Sequence, residues 1–132
     1  MCETRFYSCP SCGTIVGMIH DGGAPLICCG DEMELLKPHT VKDEGAKTHL
    51  PHVTMDEYRV HVTVGDESHP MSEDHSIAWV YLQTDRGGQR KCFSTKNHSN
   101  GKELTVSFAL ADEHPIAVYS YCDKHGLWMH EV

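Results

Sequence analysis

A cysteine and a histidine stand three residues apart in Tyr121-Cys122-Asp123-Lys124-His125-Gly126-Leu127-Trp128, just after an apolar run. A thiolate and an imidazole at that spacing can face one ion from one tight turn, and the pair suits iron, copper or zinc. Cys9-Pro10-Ser11-Cys12 and the vicinal pair Cys28-Cys29 add four thiols nearer the N-terminus. C-x-x-C lets one loop present two sulfurs to a tetrahedral ion. Zinc and iron both accept four thiolates, and the spacing does not separate them. A disulfide reading of these four would need either a strained ring between Cys28 and Cys29 or two bridges in a reducing compartment, so metal binding is preferred. Further imidazoles come from His49 and from His69-Pro70-Met71-Ser72-Glu73-Asp74-His75, placed at what read as strand ends and loops. His20, His39, His52, His61, His98, His114 and His130 lack such grouping and are read as solvated side chains. Cys92 is read as strand packing and Cys2 as a frayed terminal thiol.

Composition narrows the setting for this chemistry. The chain has 132 residues, 39% of them apolar, which suits one ordinary domain or a small module joined to a modest one. No run of about 18 apolar residues and no charged-then-apolar leader is present, so a soluble, cytoplasmic protein without membrane anchoring is expected. Seven cysteines are many for this length, but the count is odd, unlike the disulfide framework of a secreted domain. A net charge of −8 with no basic stripe leaves little to neutralise phosphates and speaks against nucleic acid as a partner.

The elements that must position these ligands read as strands throughout. Residues 1–37 hold Phe6 to Ser8, Thr14 to Ile19 and Leu26 to Cys28 between glycine turns, a unit too short to build an independent core without a metal, disulfides or a partner. Pro38 to Gly45 is polar and reads as linker and first loop of a second domain, 38–132. There Tyr58, Val60, Val62 and Val64 alternate with polar residues. Ile77 to Leu82 is apolar on both faces and is expected to be a central strand. Leu104, Val106, Phe108 and Leu110 share one face of a third strand, and Ile116, Val118, Ser120 and Cys122 one face of a fourth. Turns are expected at Gly65-Asp66, Asp85 to Gly88, Asn97 to Gly101 and Asp112 to Pro115. The spacing predicts an all-β chain: a metal-stapled small unit followed by an immunoglobulin-like antiparallel β-sandwich. Open sheet edges and the small first unit point to a homodimer.

Three functional classes compete on these residues. Cys122, His125 and Met129 with one upstream histidine look like the ligand run of a cupredoxin, which would make the chain an electron carrier, cupredoxin-like or rubredoxin-like. Copper leaves the four N-terminal thiols unexplained, and Met129 alternates with Trp128 along an expected strand. A zinc-stapled binding module is the second alternative.

The third class rests on a resemblance. Cys9-Pro10-Ser11-Cys12 with Cys28-Cys29 resembles desulforedoxin. His49, His69-Pro70-Met71 through His75, and Tyr121-Cys122 through His125-Gly126 and Trp128 resemble the iron domain of superoxide reductases. Together, and in order over nearly the whole chain, they resemble the desulfoferrodoxin family. That resemblance implies two irons per chain. Cys9, Cys12, Cys28 and Cys29 would hold the first, with zinc the alternative ion there. His49, His69, His75 and His125 would form the equatorial square of the second, with Cys122 as axial thiolate and the sixth position open. It implies one-electron reduction of superoxide, with two protons, to hydrogen peroxide, and a rubredoxin-like electron donor.

Simple chemistry supports that site. A ferrous ion with one thiolate and four neutral imidazoles carries a net charge of about +1, and the ion is the largest local charge, so a small anion is drawn to an acidic protein. An axial thiolate donates electron density toward a ligand opposite it, as in haem enzymes. The chain departs from the family directly before the first histidine, where Glu-Lys is common and Lys47-Thr48 stands here. The carboxylate is absent and the lysine is displaced by one position. Lys47, in a stretch rich in Gly and charge that reads as a loop, is expected to take over substrate steering through its flexible ammonium.

Overall fold

The computed structural model describes residues 3–65, 75–93 and 104–132, the side chain of Lys47 excepted. It divides into two compact units, Glu3–Lys37 and Pro38–Val132.

In the first unit β1 (Phe6–Ser8), β2 (Ile15–Gly17), β3 (Ile27–Cys28), β4 (Asp31–Glu32) and β5 (Glu34–Leu35) are all short. β1 pairs antiparallel with β2 on one side and β5 on the other, while β3 and β4 form a separate hairpin. Its buried apolar side chains, among the described residues, are Phe6, Cys9 and Met33, whereas Ile19, Ile27 and Leu35 are exposed. At roughly 1.5–3 kcal/mol for each fully buried large side chain, so few cannot offset the conformational entropy of ordering the segment. With the thiols free rather than in disulfides, a metal held by them or a partner chain has to supply the rest.

The second unit opens with one helical turn, α1 (Ala46–His49), followed by β6 (Pro51–Met55), β7 (Arg59–Val64), β8 (Ile77–Thr84), β9 (Gly87–Cys92), β10 (Thr105–Ala109), β11 (Pro115–Cys122) and β12 (Gly126–Glu131). One sheet runs β10-β7-β6 and the other β12-β11-β8-β9, with every pairing antiparallel. Val60, Val62, Val64 and Phe108 from the first sheet share one buried cluster with Ile77, Val80, Leu82, Val118 and Cys122 from the second. Side chains of both inner faces thus interdigitate, as in an immunoglobulin-like sandwich. β8 is interior to its sheet and buried on much of both faces, as its unbroken apolar run requires.

A local irregularity aims the strand ends at a single point. Tyr121 pairs with Trp79 but Cys122 pairs with Ile77, so Ala78 is an extra residue on β8. Such a bulge bends the strand and re-aims its side chains. It lets Ile77 share the inner face with Val80 although their numbers differ in parity, and it sits directly beside Cys122 and the end of β8 nearest His75.

Several expectations are corrected. Tyr58 precedes β7 and is exposed, because the chain there turns around Asp56, whose carboxylate accepts the Tyr58 and Arg59 amides at 2.9 Å each. Gly87 and Gly88 belong to β9 rather than to the turn, with Thr84 paired to Gly87 across it. Cys92 does lie on a strand but is exposed, so it does not pack the core. The Pro38–Gly45 stretch is more than a linker: His39 bridges to Trp128, donating its amide to the Leu127 carbonyl and accepting the Met129 amide. His39, His61 and His114 keep solvated side chains as expected, while meeting the Trp128 ring, Ser107 with Asp56, and Asp85 respectively. His98, Cys2 and the Asn97 to Gly101 turn lie outside the described residues.

Candidate metal centres

The first centre is assembled by two tight turns. The Cys9 amide donates to the Thr14 carbonyl and the Gly13 amide to the Cys9 carbonyl, both at 2.9 Å, which folds Cys9–Thr14 into a knuckle carrying two sulfurs. Gly13 has φ +78, which an L side chain rarely adopts. The vicinal cysteines are explained by the second hairpin. Cys28 is the last residue of β3, paired with Asp31, so Cys29 and Gly30 are the two loop residues, with φ 54 and 79. Positive φ at both central positions is what a two-residue type I′ hairpin requires. Side chains of the last strand residue and the first loop residue then reach one point without bonding to each other, and both cysteines are free thiols.

All four sulfurs lie within 4.8 Å of one another, and Cys12 and Cys28 are 3.6 Å apart. Zinc at about 2.3 Å from each of four tetrahedral sulfurs would place them about 3.8 Å apart, so the cage fits one such ion. Cys9 is buried while Cys12 and Cys29 are exposed. Hydrogen bonds from the Thr14 hydroxyl, then its amide, pull the Cys12 thiol down to about 6. Cys28 is pushed up to about 12 by donating to Cys9 and Cys12, and Cys29 also moves up for the same reason. Without a cation Cys12 is the sulfur that ionises more readily, while Cys28 and Cys29 hold their protons more tightly. A metal releases all four, since coordinating thiols are deprotonated outright.

The second centre gathers His49 from the end of α1, His75 before β8, Cys122 from the end of β11 and His125 from the turn leading into β12. Their ligand atoms also lie within 4.8 Å of one another. His125 Nδ1 is 3.1 Å from His49 Nε2, 3.1 Å from His75 Nε2 and 3.6 Å from Cys122 Sγ. His49 Nδ1 donates to the Gly45 carbonyl at 2.9 Å, which leaves its Nε2 lone pair pointing into the cluster. A second histidine partner of this kind fixes ring orientation in metal sites. At most one proton can serve each nitrogen–nitrogen contact, so a convergence of this sort asks for a cation.

Burial tunes each group for that cation. His49 is held below the ordinary histidine value, first by burial and then, against the Gly45 bond, by the neighbouring imidazoles; His75 is lowered by burial and by His125. Both favour the neutral, ligating form. Burial pushes the Cys122 thiol up, opposed by the Lys124 and His125 amides directed at its sulfur. A fully buried thiol among imidazoles is poorly ionised alone and becomes a strong donor once a cation offsets that cost. His69 lies outside the described residues, and Met129 lines a groove with Thr40, Val41 and Leu50.

Three supporting residues carried no sequence signal of their role. Trp128 stacks on His49 with centroids 5.0 Å apart and planes 12° from parallel. Gly45 has φ +93, and a Cβ there would sit 3.4 Å from both His49 Nδ1 and the Trp128 ring, so glycine is what allows the stack and the carbonyl contact together. The buried Ser120 hydroxyl donates to the His49 carbonyl at 2.6 Å, tying α1 to β11.

A strand-built two-unit chain with a tetrathiolate cage and a separate imidazole–thiolate cluster defines a two-centre non-haem metalloprotein. The sequence matches the desulfoferrodoxin N-terminal domain over residues 3–36 and the desulfoferrodoxin domain over residues 41–131. It is 37% identical over 130 residues to the desulfoferrodoxin of Nitratidesulfovibrio vulgaris, covering 98% of this chain and 97% of that one. To a desulfoferrodoxin homolog of Archaeoglobus fulgidus it is 35% identical over 124 residues, 94% of each chain. The structure superposes on the superoxide reductase from Treponema pallidum with a TM-score of 0.75 and 26% identity over 98% of both chains. The chain belongs to the desulfoferrodoxin family.

Proposed function

We infer that this chain is a superoxide reductase, converting superoxide, one electron and two protons to hydrogen peroxide. Family membership and the Treponema pallidum neighbour support the activity, and the observation that carries it is the buried Cys122 thiol facing three converging imidazole nitrogens. Iron bound there would supply the electron, passing from ferrous to ferric with each superoxide reduced. We assign His49, His69, His75, His125 and Cys122 to it, and Cys9, Cys12, Cys28 and Cys29 to the first iron. The domains are then 1–37 and 38–132.

The chain's own residues shape the reaction. Gly45 and Trp128 fix the His49 ring, and Ser120 anchors its backbone, so the cluster is organised before substrate arrives. The acidic chain repels anions at long range, so local cations must offset that field. Lys47 lies in the helical turn α1, rather than in the loop expected, two residues before His49, and is the proposed steering charge. Lys47→Ala should slow the second-order reaction about threefold at low ionic strength, a small part of the roughly 10- to 1000-fold reach of steering, and flatten its salt dependence. Pulse radiolysis at several salt concentrations reads both; an unchanged rate and slope would reject Lys47 in that role.

A rubredoxin-like protein as electron donor, a homodimer and a cytoplasmic location complete the proposal. No helix among the described residues is long and apolar enough to cross a membrane. Metal analysis of anaerobically isolated protein with electron paramagnetic resonance tests the metal assignment. Two irons per chain are expected, with two distinct ferric signals once the protein is chemically oxidised; one iron, or copper, would contradict it.

A further inference from the structure

We propose that the Thr14 hydroxyl sets the reduction potential of the first centre by donating a hydrogen bond to the Cys12 sulfur. This rests on the reading of Cys9, Cys12, Cys28 and Cys29 as one metal cage. Thr14 Oγ1 is 3.1 Å from Cys12 Sγ. A coordinated sulfur is a thiolate with no proton to give, so in the loaded site the hydroxyl must be the donor. The same residue closes the knuckle, since its carbonyl accepts the Cys9 amide at 2.9 Å, and this holds the Thr14 backbone beside the C-x-x-C loop.

The consequence is electrostatic. Reducing a tetrathiolate iron adds one negative charge, spread largely over the sulfurs. A donor already aimed at one of them stabilises the reduced form more than the oxidised form. Hydrogen bonds to the sulfurs are among the terms that set such potentials. Cys12 is exposed, so water competes for this sulfur and the effect is modest. Valine at position 14 keeps the branched shape, lacks the donor and shields that side of the sulfur from water. Serine keeps the donor. Position 14 is therefore a tuning residue acting through Cys12, not a ligand.

Redox titration of the first centre in the full two-iron protein tests this. Thr14→Val should lower the equilibrium constant for reduction about fivefold, a potential about 40 mV more negative for a one-electron couple. Thr14→Ser should stay close to the parent, and the second centre's potential should not move in either variant. A Thr14→Val potential equal to the parent's, or a Thr14→Ser shift as large as that of Thr14→Val, would overturn the proposal. Should the cage hold zinc and show no redox wave, the iron reading fails instead. Cobalt(II) loaded into the same cage then reads the bond. Its sulfur-to-metal charge-transfer band should move to lower energy in Thr14→Val and not in Thr14→Ser, and a band unmoved in Thr14→Val would overturn the proposal.

Discussion

Cys122→Ser should abolish reduction of superoxide, by at least about 100-fold, while leaving the absorption of the first centre intact. Changes to groups that merely orient ligands already cost about 10- to 100-fold in metal affinity or activity, so loss of the only thiolate in the second cluster should exceed that range. The sulfur is fully buried, its Sγ lies 3.6 Å from His125 Nδ1, and two turn amides point at it. A serine hydroxyl is a harder and weaker donor that does not ionise there, so the cluster loses its anionic ligand and its electron donation together. No residue is shared between the two clusters. Stopped-flow mixing with superoxide, alongside the visible spectrum, reads both effects. Turnover near that of the parent would remove Cys122 from the active centre.

Cys12→Ser should give the complementary pattern. The first centre's absorption is lost, protease cuts appear within Glu3–Lys37, and the direct reaction with superoxide at the second centre survives. Binding of a structural metal to a small cysteine module is worth about 10–16 kcal/mol at neutral pH, and in such a module binding energy is folding energy. A unit whose buried apolar residues are Phe6, Cys9 and Met33, among those described, has little else to hold it. Limited proteolysis with metal analysis checks this. Loss of metal from both centres would mean that the two clusters depend on each other.

Much of this arrangement was legible in the sequence because its signals are local. C-x-x-C, a vicinal Cys28-Cys29 and Cys122 three residues before His125 each place two ligands through one turn, and period-two alternation marks the strands of β7, β10 and β11. The parts that escaped depend on chain crossings. Nothing local marks Trp128 as the platform for His49, since the contact joins β12 to α1 across 79 positions of sequence. Ser120 looks like one polar break in an apolar strand face until His49's carbonyl is seen at 2.6 Å. The bulge at Ala78 is invisible because Ile77 to Leu82 is apolar on both faces, so the sequence carries no alternation whose phase could slip there. Cys92 departs from expectation because the strand it lies on is at a sheet edge, where its side chain is exposed. Thr14 follows a glycine turn as an unremarkable β-branched residue, and only the knuckle geometry turns its hydroxyl toward Cys12.

The yield of hydrogen peroxide from a known dose of superoxide, with stoichiometric reduced protein under anaerobic conditions, tests the central claim most directly. A reductase gives one peroxide for each superoxide consumed and releases no dioxygen, with one ferrous centre oxidised per event. Half that peroxide yield, with dioxygen evolved and no net oxidation of the protein, would mark a dismutase and contradict the account.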